Sequence, residues 1–342
     1  MLSRRQFCAS AALAVGCAAM HEGSSVARAA EELKRDELAG KALVAITLDL
    51  EMSRNFPTWD QTHWDYEKGN LDADTKRYTL DACRRVKERG HRIHCFAVGR
   101  VLEQEDVSWL KEIAADGHRI GNHTYDHVNV KATRPEEIQF RFRRAPWLIR
   151  GQTVEQVIRE NIRVTTLALK ERCGIEARGF RTPGGFSSGL SDRPDVQKML
   201  LAQGFTWVSS KYPSHPVGKP GEPPPADVFE AIVKAQAEAQ PFVYKSGLVE
   251  MPMSPISDIT AFRGGRWKLD DFLKAIRASI EWAIANNAVF DFLGHPSCLL
   301  VTDPKFRTID LICDLIEAAK DRAAIVDLEA IAGRAASKRS VE

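Results

Sequence analysis

From Ala42 onward the chain alternates short, nearly all-apolar runs with longer amphipathic ones, and this rhythm restricts its fold more than any other feature. A strand-length run with almost no polar side chains must be covered on both faces, which is the situation of a strand in a parallel sheet flanked by helices. Ala42–Leu50 is the first such run. The pattern then predicts a charged amphipathic helix over Thr75–Arg89 closed by Gly90, and a strand over Arg92–Val98. A helix over Asp106–Asp116 capped by Gly117 and a short strand over Arg119–Gly121 follow. Residues 131–172 read as mostly helical, broken near Pro146 and Gly151. Further strands are expected at Ala177–Phe180, Phe205–Ser209, Leu248–Met251 and Ala288–Leu293, and helices at Ala226–Gln240, Leu269–Asn287 and Thr308–Asp321. Ile325–Leu328 completes the pattern, while six prolines and two glycines between Lys211 and Pro225 mark a surface loop. About seven β/α units over roughly 290 residues predict an α/β fold with one closed or nearly closed barrel.

The first 29 residues read differently. Ser3-Arg4-Arg5-Gln6-Phe7 precedes an apolar run from Cys8 to Met20, and Ala27-Arg28-Ala29 closes the segment. That order is a signal peptide with its cleavage site, and the adjacent arginines followed by Phe resemble a twin-arginine export signal. The alternatives are an ordinary secretory signal, or lipidation at Cys17. The apolar run is too short for a permanent membrane span. The expected organisation is therefore a signal over 1–29, a linker over 30–41, a catalytic barrel over 42–330 and a C-terminal tail over 331–342, in a protein of the periplasm or cell envelope. The segment holds three of the 48 basic and one of the 46 acidic residues, so the remainder is formally neutral. Bulk electrostatics thus gives no reason to expect nucleic-acid binding. Five cysteines lie beyond the segment, an odd number without a Cys-x-x-Cys spacing, and they read as buried packing residues.

The chemistry-bearing residues fall at predicted strand ends. His123 and His127 follow the third strand, and a helical turn there would project both imidazoles from one face toward a shared metal ion. Asp49 and Glu51 lie two apart at the end of the first strand and so share a side of it. Two acids projecting together from a buried strand end repel unless a cation, or a cation plus Arg181, lies between them. The alternative is that one of the two caps a loop or pairs with a surface arginine. Arg181 and His295 also end strands, as barrel active sites require. Nitrogen and carboxylate ligands favour one zinc or similar divalent ion.

Gly117-His-Arg-Ile-Gly-Asn-His123-Thr-Tyr-Asp-His127 resembles the second signature of the polysaccharide deacetylases (the NodB-homology domain, carbohydrate esterase family 4). Thr47-Leu-Asp-Leu-Glu51 resembles the first signature in a branch with an Asp-x-Glu motif. Phe180-Arg-Thr-Pro-Gly-Gly185, Cys95-Phe-Ala-Val-Gly99 and Leu293-Gly-His295 are similar to further signatures, in the family's order. The resemblance implies a distorted (β/α)7 barrel and metal-dependent hydrolysis of N-acetyl groups on an amino-sugar polymer or oligomer. It implies Asp49 as base, His295 as acid, Arg181 orienting the base, and Glu51, His123 and His127 as metal ligands. A backbone N–H just after Pro183, that of Gly184, is expected to help hold the developing oxyanion. Leu50 stands where the usual second aspartate ligand would be, and Ser209 and Ser210 where the acid's tuning aspartate is expected, with Asp258 or Asp291 as substitutes.

Pro183, Gly184, Trp207 and Trp59 are candidate substrate contacts. Trp59, His63, Trp64 and Tyr66 either stack on sugar rings or pack among themselves. Met251-Pro-Met-Ser-Pro255, through Asp258, Arg263 and Trp267, is a further candidate stretch for the cleft. Arg134, Arg141, Arg143, Arg144 and Arg150 form a basic insertion that either greets an acidic glycan or is a solvated helix face. Two other functions fit the sequence: a small-amide hydrolase of allantoinase type, and a glycan-binding relative that has lost catalysis.

Overall fold

The computed structural model describes residues 37–52 and 68–339. The chain divides at Lys41 into two units, the first reaching to Lys41 and the second running from Ala42 onward. The expected signal segment, with Cys17, and the aromatic loop residues Trp59, His63, Trp64 and Tyr66 lie outside the described residues.

The second unit is a curled parallel sheet with helices outside it. Strand β1 spans Ala42–Leu50, β2 Ile93–Ala97, β3 Arg119–Asn122, β4 Phe180–Phe186 and β5 Trp207–Lys211. Strands β6 (Phe242–Val243), β7 (Val249–Glu250), β8 (Val289–Gly294) and β9 (Ala323–Ile325) follow. Parallel neighbours run in the order β7-β5-β4-β3-β2-β1-β8. β9 pairs with the start of β1, and β6 lies antiparallel on β7. No ladder joins β7 to β8, but the chain beyond β7 bridges them. Met251 and Met253 donate backbone N–H bonds to β5 (2.7 and 2.9 Å), and Ser254 donates to the Asp291 carbonyl at 3.0 Å. The Asp291 N–H in turn bonds Ser254 Oγ at 2.9 Å. This is the distorted barrel that the resemblance implied.

Period-two alternation sorts the strand residues. Val44, Ile46, Leu48 and Leu50 of β1 join the apolar layer under the outer helices, as do Phe290 and Phe292 of β8. The odd residues Thr47 and Asp49, and Asp291 of β8, turn inward. Inside, His94 stacks on Phe96 with centroids 4.8 Å apart, Trp207 meets both edge-on, and the Arg181 guanidinium lies 4.4 Å from the Phe96 ring. An apolar and aromatic floor thus supports a charged upper layer.

The helices follow from their caps and stripes. Helix α1 (Ala73–Glu88) starts where Asp72 Oδ1 accepts the Thr75 N–H at 2.8 Å, and it ends before Gly90 at φ 79°. Its buried Tyr78, Ala82 and Val86 recur every four residues. Helix α2 covers Ser108–Ala115, and α3 (Val154–Cys173) opens with a Thr153/Gln156 capping box and closes at Gly174. Several expectations shift, among them the helix over Ala226–Gln240, which ends at Gln236. The Ala177–Phe180 strand begins only at Phe180, because Gly179 takes φ 76° and a Cβ there would fall 1.9 Å from the Trp207 ring. Residues 331–339, expected as a tail, belong to helix Leu328–Arg339, which buries Ile331 and Ala332. Its short apolar edge gave only a weak periodic signal. Four of the five cysteines are buried, Cys173 is half-buried, and all five are free thiols.

Candidate metal centre and active site

The inward ends of β1, β3, β4 and β8 meet at one cavity of about 230 Å³. Asp49, Glu51, Lys68, His123, His127, Gly184 and His295 are among its lining residues.

The imidazoles reach it on a loop, not on the helical turn expected from their spacing. Thr124 (φ 59°) and His127 (φ 58°) both lie in the left-handed region, which side chains other than glycine occupy only when the surroundings hold them there. Side chains of that kind are present. Asn122 Oδ1 accepts the Thr124 N–H at 2.8 Å, and Thr124 Oγ1 accepts the Val128 N–H at 2.9 Å. From α3, Asn161 Oδ1 accepts the Asp126 N–H at 2.8 Å, and the Asp126 carboxylate pairs with Arg141. Part of the basic insertion is therefore a brace for the histidine loop.

His123 Nδ1 lies 3.0 Å from the Arg181 carbonyl, so that nitrogen carries the proton and Nε2 presents its lone pair to the centre. Burial pushes the His127 imidazole down to about 4, which keeps it neutral. Its Nε2 lies 2.7 Å from Glu51 Oε2, and His123 Nε2 lies 3.6 Å from the same atom. Burial alone would raise the Glu51 carboxyl, but the Lys68 ammonium and the polar contacts of the His127 and His123 imidazoles outweigh it and hold it well below the usual range.

These residues fit a divalent cation. The ligand atoms of Glu51, His123 and His127 lie within 4.8 Å of one another. Glu51 Oε2 is buried and accepts no hydrogen bond, a costly state that a cation would relieve. The buried layer around it also holds four carboxylates (Asp49, Glu51, Asp258, Asp291) against two cations, Lys68 and Arg181. Among the described residues this layer is therefore rich in carboxylates, a setting that favours a cation.

Arg181, fully buried, organises the rest. Its Nη1 donates to Asp49 Oδ1 at 3.1 Å and to Thr47 Oγ1 at 2.7 Å, its Nη2 to Asp291 Oδ2 at 2.7 Å, and its Nε to Ser209 Oγ at 3.1 Å. Asp49 Oδ2 is thereby left facing the centre, 3.7 Å from His123 Nε2 and 3.9 Å from His295 Nε2. Of the two aspartates considered beside His295, Asp258 is the partner. Its Oδ1 lies 2.8 Å from His295 Nδ1 and its Oδ2 accepts the His295 N–H at 2.7 Å. Asp291 serves Arg181 instead, and burial pushes its carboxyl up to about 6. Burial also pulls the His295 imidazole down, but Asp258, Glu51 and Asp49 outweigh that and raise it.

An Asp258→Asn protein is accordingly expected to hold His295 less basic. Where protonated His295 is needed, activity falls as pH rises through its pKa, so the alkaline limb should move to lower pH. A pH profile of kcat/KM checks this, and an unmoved limb would separate Asp258 from the acid.

Other candidates are placed differently. Gly184, at φ 75°, lines the cavity, whereas Pro183 is buried beside it and is absent from the lining. Trp207, expected as a substrate contact, is a correction: it is 2% exposed and packs in the floor against His94, Phe96 and Gly179. It sits at the first residue of β5, while the cavity lies beyond the strand ends. Of the stretch from Met251 to Trp267, Met253 and Arg263 line the cavity as expected, whereas Met251, Asp258 and Trp267 do not. Lys68 and Tyr212 had no motif to announce them. Tyr212 Oη bonds Ser257 Oγ (3.2 Å) and Thr260 Oγ1 (2.7 Å), forming a hydroxyl wall with the π-turn Ile259–Gly264.

The polysaccharide deacetylase family model matches residues 66–199, a span containing His123, His127 and Arg181. No curated protein matches the chain. A Mycobacterium smegmatis structure assigned to the polysaccharide deacetylases aligns with TM-score 0.58 at 17% identity, covering 88% of this chain and 92% of that one. A Pseudomonas aeruginosa PAO1 structure with the same assignment gives TM-score 0.55 at 14% identity, covering 85% and 89%. The Puue allantoinase gives TM-score 0.56 at 14% identity, covering 86% and 90%. These likenesses establish the shared fold, and within it residues 66–199 are similar to the polysaccharide deacetylase family.

Proposed function

We propose that this protein is an exported, metal-dependent amidohydrolase that removes N-acetyl groups from an amino-sugar polymer or oligomer. The observation that carries the reading is the convergence of a Glu51–His123–His127 ligand set, a free Asp49 oxygen and the Asp258–His295 pair on one cavity. The Arg4–Arg5 segment supports export, which would bring the protein to the glycans of the envelope. Among the described residues no helix is long and apolar enough to cross a membrane.

Glu51, His123 and His127 would hold one divalent ion, zinc by their donor types. Such an ion supplies polarisation of the amide carbonyl and acidification of a water molecule. Asp49 Oδ2 takes the water's proton, its carboxylate held in orientation by Arg181 at Oδ1. The Gly184 backbone N–H, on the cavity wall, is the donor offered to the developing oxyanion. His295 Nε2 delivers a proton to the departing nitrogen while Asp258 holds Nδ1.

Zinc-loaded protein should release acetate from N-acetylglucosamine oligomers. Glu51→Ala should weaken zinc binding by more than about 100-fold, since removing even a residue that merely supports a ligand costs 10–100-fold. Zinc titration by calorimetry checks this, and unchanged affinity would remove Glu51 from the ligand set.

The cavity's size favours a second reading. At about 230 Å³ it lies below the usual small-molecule pocket range of roughly 300–1,000 Å³, which suits a small linear amide as well as one acetamido group. Hydrolysis of a small amide with no acetate from any glycan would favour that reading. Bound zinc with no hydrolysis of either would indicate a glycan-binding relative.

A further inference from the structure

We infer that Lys68 is a positioning residue that keeps Glu51 a one-oxygen metal ligand; this rests on the metal reading above. The two carboxylate oxygens of Glu51 stand in different surroundings. Oε1 takes the Lys68 ammonium, while Oε2 accepts no hydrogen bond and faces His127 Nε2 and His123 Nε2. A carboxylate can hold a cation through one oxygen or both. With Oε1 engaged by an ammonium, only Oε2 is available.

Lys68 is built into this place. It is 3% exposed, which is rare for lysine without a charge partner, and its carbonyl accepts the Met52 N–H at 2.9 Å, beside Glu51 itself. Ser297 Oγ donates to the Glu51 carbonyl at 3.0 Å, so the backbone on the ligand's other side is also held. Oε1 has two other directions open to it once Lys68 is gone. It can turn onto the metal, filling a position that water and the substrate carbonyl need. It can instead turn to His295 Nε2, now 3.8 Å away, and hold the proton meant for the leaving group. Lys68 suppresses both, and its charge offsets one of the four clustered carboxylates.

The test reads geometry, not rate. Cobalt(II) absorbs several times more strongly in four-coordinate than in five- or six-coordinate surroundings, so the visible band of the cobalt-loaded protein reports the number of ligand atoms. Wild type should show the strong four-coordinate band at one cobalt per chain. Lys68→Met, which keeps the length without the charge, should lower the band at full loading at least twofold, and Lys68→Arg should restore it. If the methionine variant does not fold, Lys68→Gln is read by the same criterion. An unchanged band in a folded neutral variant overturns the inference, as does a weak band in wild type. Failure of wild type to take up cobalt or zinc instead removes the metal reading, and the two failures are distinct.

Discussion

Arg181→Met is expected to destabilise the fold by about 3–5 kcal/mol, the usual cost of leaving buried charges without their partner. Arg181 is 0% exposed and binds Asp49 and Asp291, themselves 4% and 1% exposed. Methionine fills similar volume against Phe96 but donates nothing, so two carboxylates lose their common cation and Thr47 and Ser209 lose a donor. With whole-domain stabilities of about 5–15 kcal/mol, this is a large share. The expected result is a lower urea midpoint with an unchanged slope. A loss under about 1 kcal/mol would mean that the network has another counter-charge. The pH dependence has a definite sign. The Asp291 carboxyl titrates at about 6 in the folded protein, above its ordinary unfolded value of about 3.9. The folded state therefore binds more protons between about pH 4 and pH 6, and this group's contribution falls as pH rises through that window. Removing Arg181 pushes the carboxyl higher and extends the window upward, so the variant's deficit should shrink on acidification.

Asp49→Asn is expected to lose turnover by about 10²–10⁴-fold, the range for a positioned general base, while keeping its metal. Asparagine can present its carbonyl oxygen to Arg181, so the orientation survives and only the proton acceptor is lost. Asp49 also contributes one negative charge to a crowded buried layer, so folding stability should not fall with activity. Acetate release with metal content measured on the same sample separates the two effects. A variant retaining more than a tenth of the wild-type rate would mean that Asp49 is not the base.

The local features that carry most of this were legible because they are periodic or short-range. The bounds of β1 were readable as a nine-residue apolar run, and the shared side of Asp49 and Glu51 follows from strand alternation alone. Helix α1 could be read from its stripe and from Gly90. The histidine spacing was legible, but the helical turn drawn from it was not correct. Spacing of four says nothing of Asn122, Thr124 and Asn161, whose hydrogen bonds hold two left-handed residues in place. Trp207 was misplaced for a related reason: an aromatic on a strand reads alike at either end of the barrel, and only the sheet register puts it in the floor.

The His123–His127 motif that the chain advertises thus received its strand-end setting from the sequence by itself, together with the alternating architecture, the acidic pair on β1, and the resemblance in motif order. Those follow from bonds and contacts between residues near one another in the chain. Only the tertiary structure decided that Asp258 and not Asp291 serves His295, that Arg181 joins Asp49 to Asp291, and that Lys68 takes one oxygen of Glu51. Asp258 and His295 are 37 residues apart, and Arg181 and Asp49 are 132 apart. Pairing at such separations is set by which strands lie side by side and by the need of every buried charge for a partner, and neither condition is written in local order.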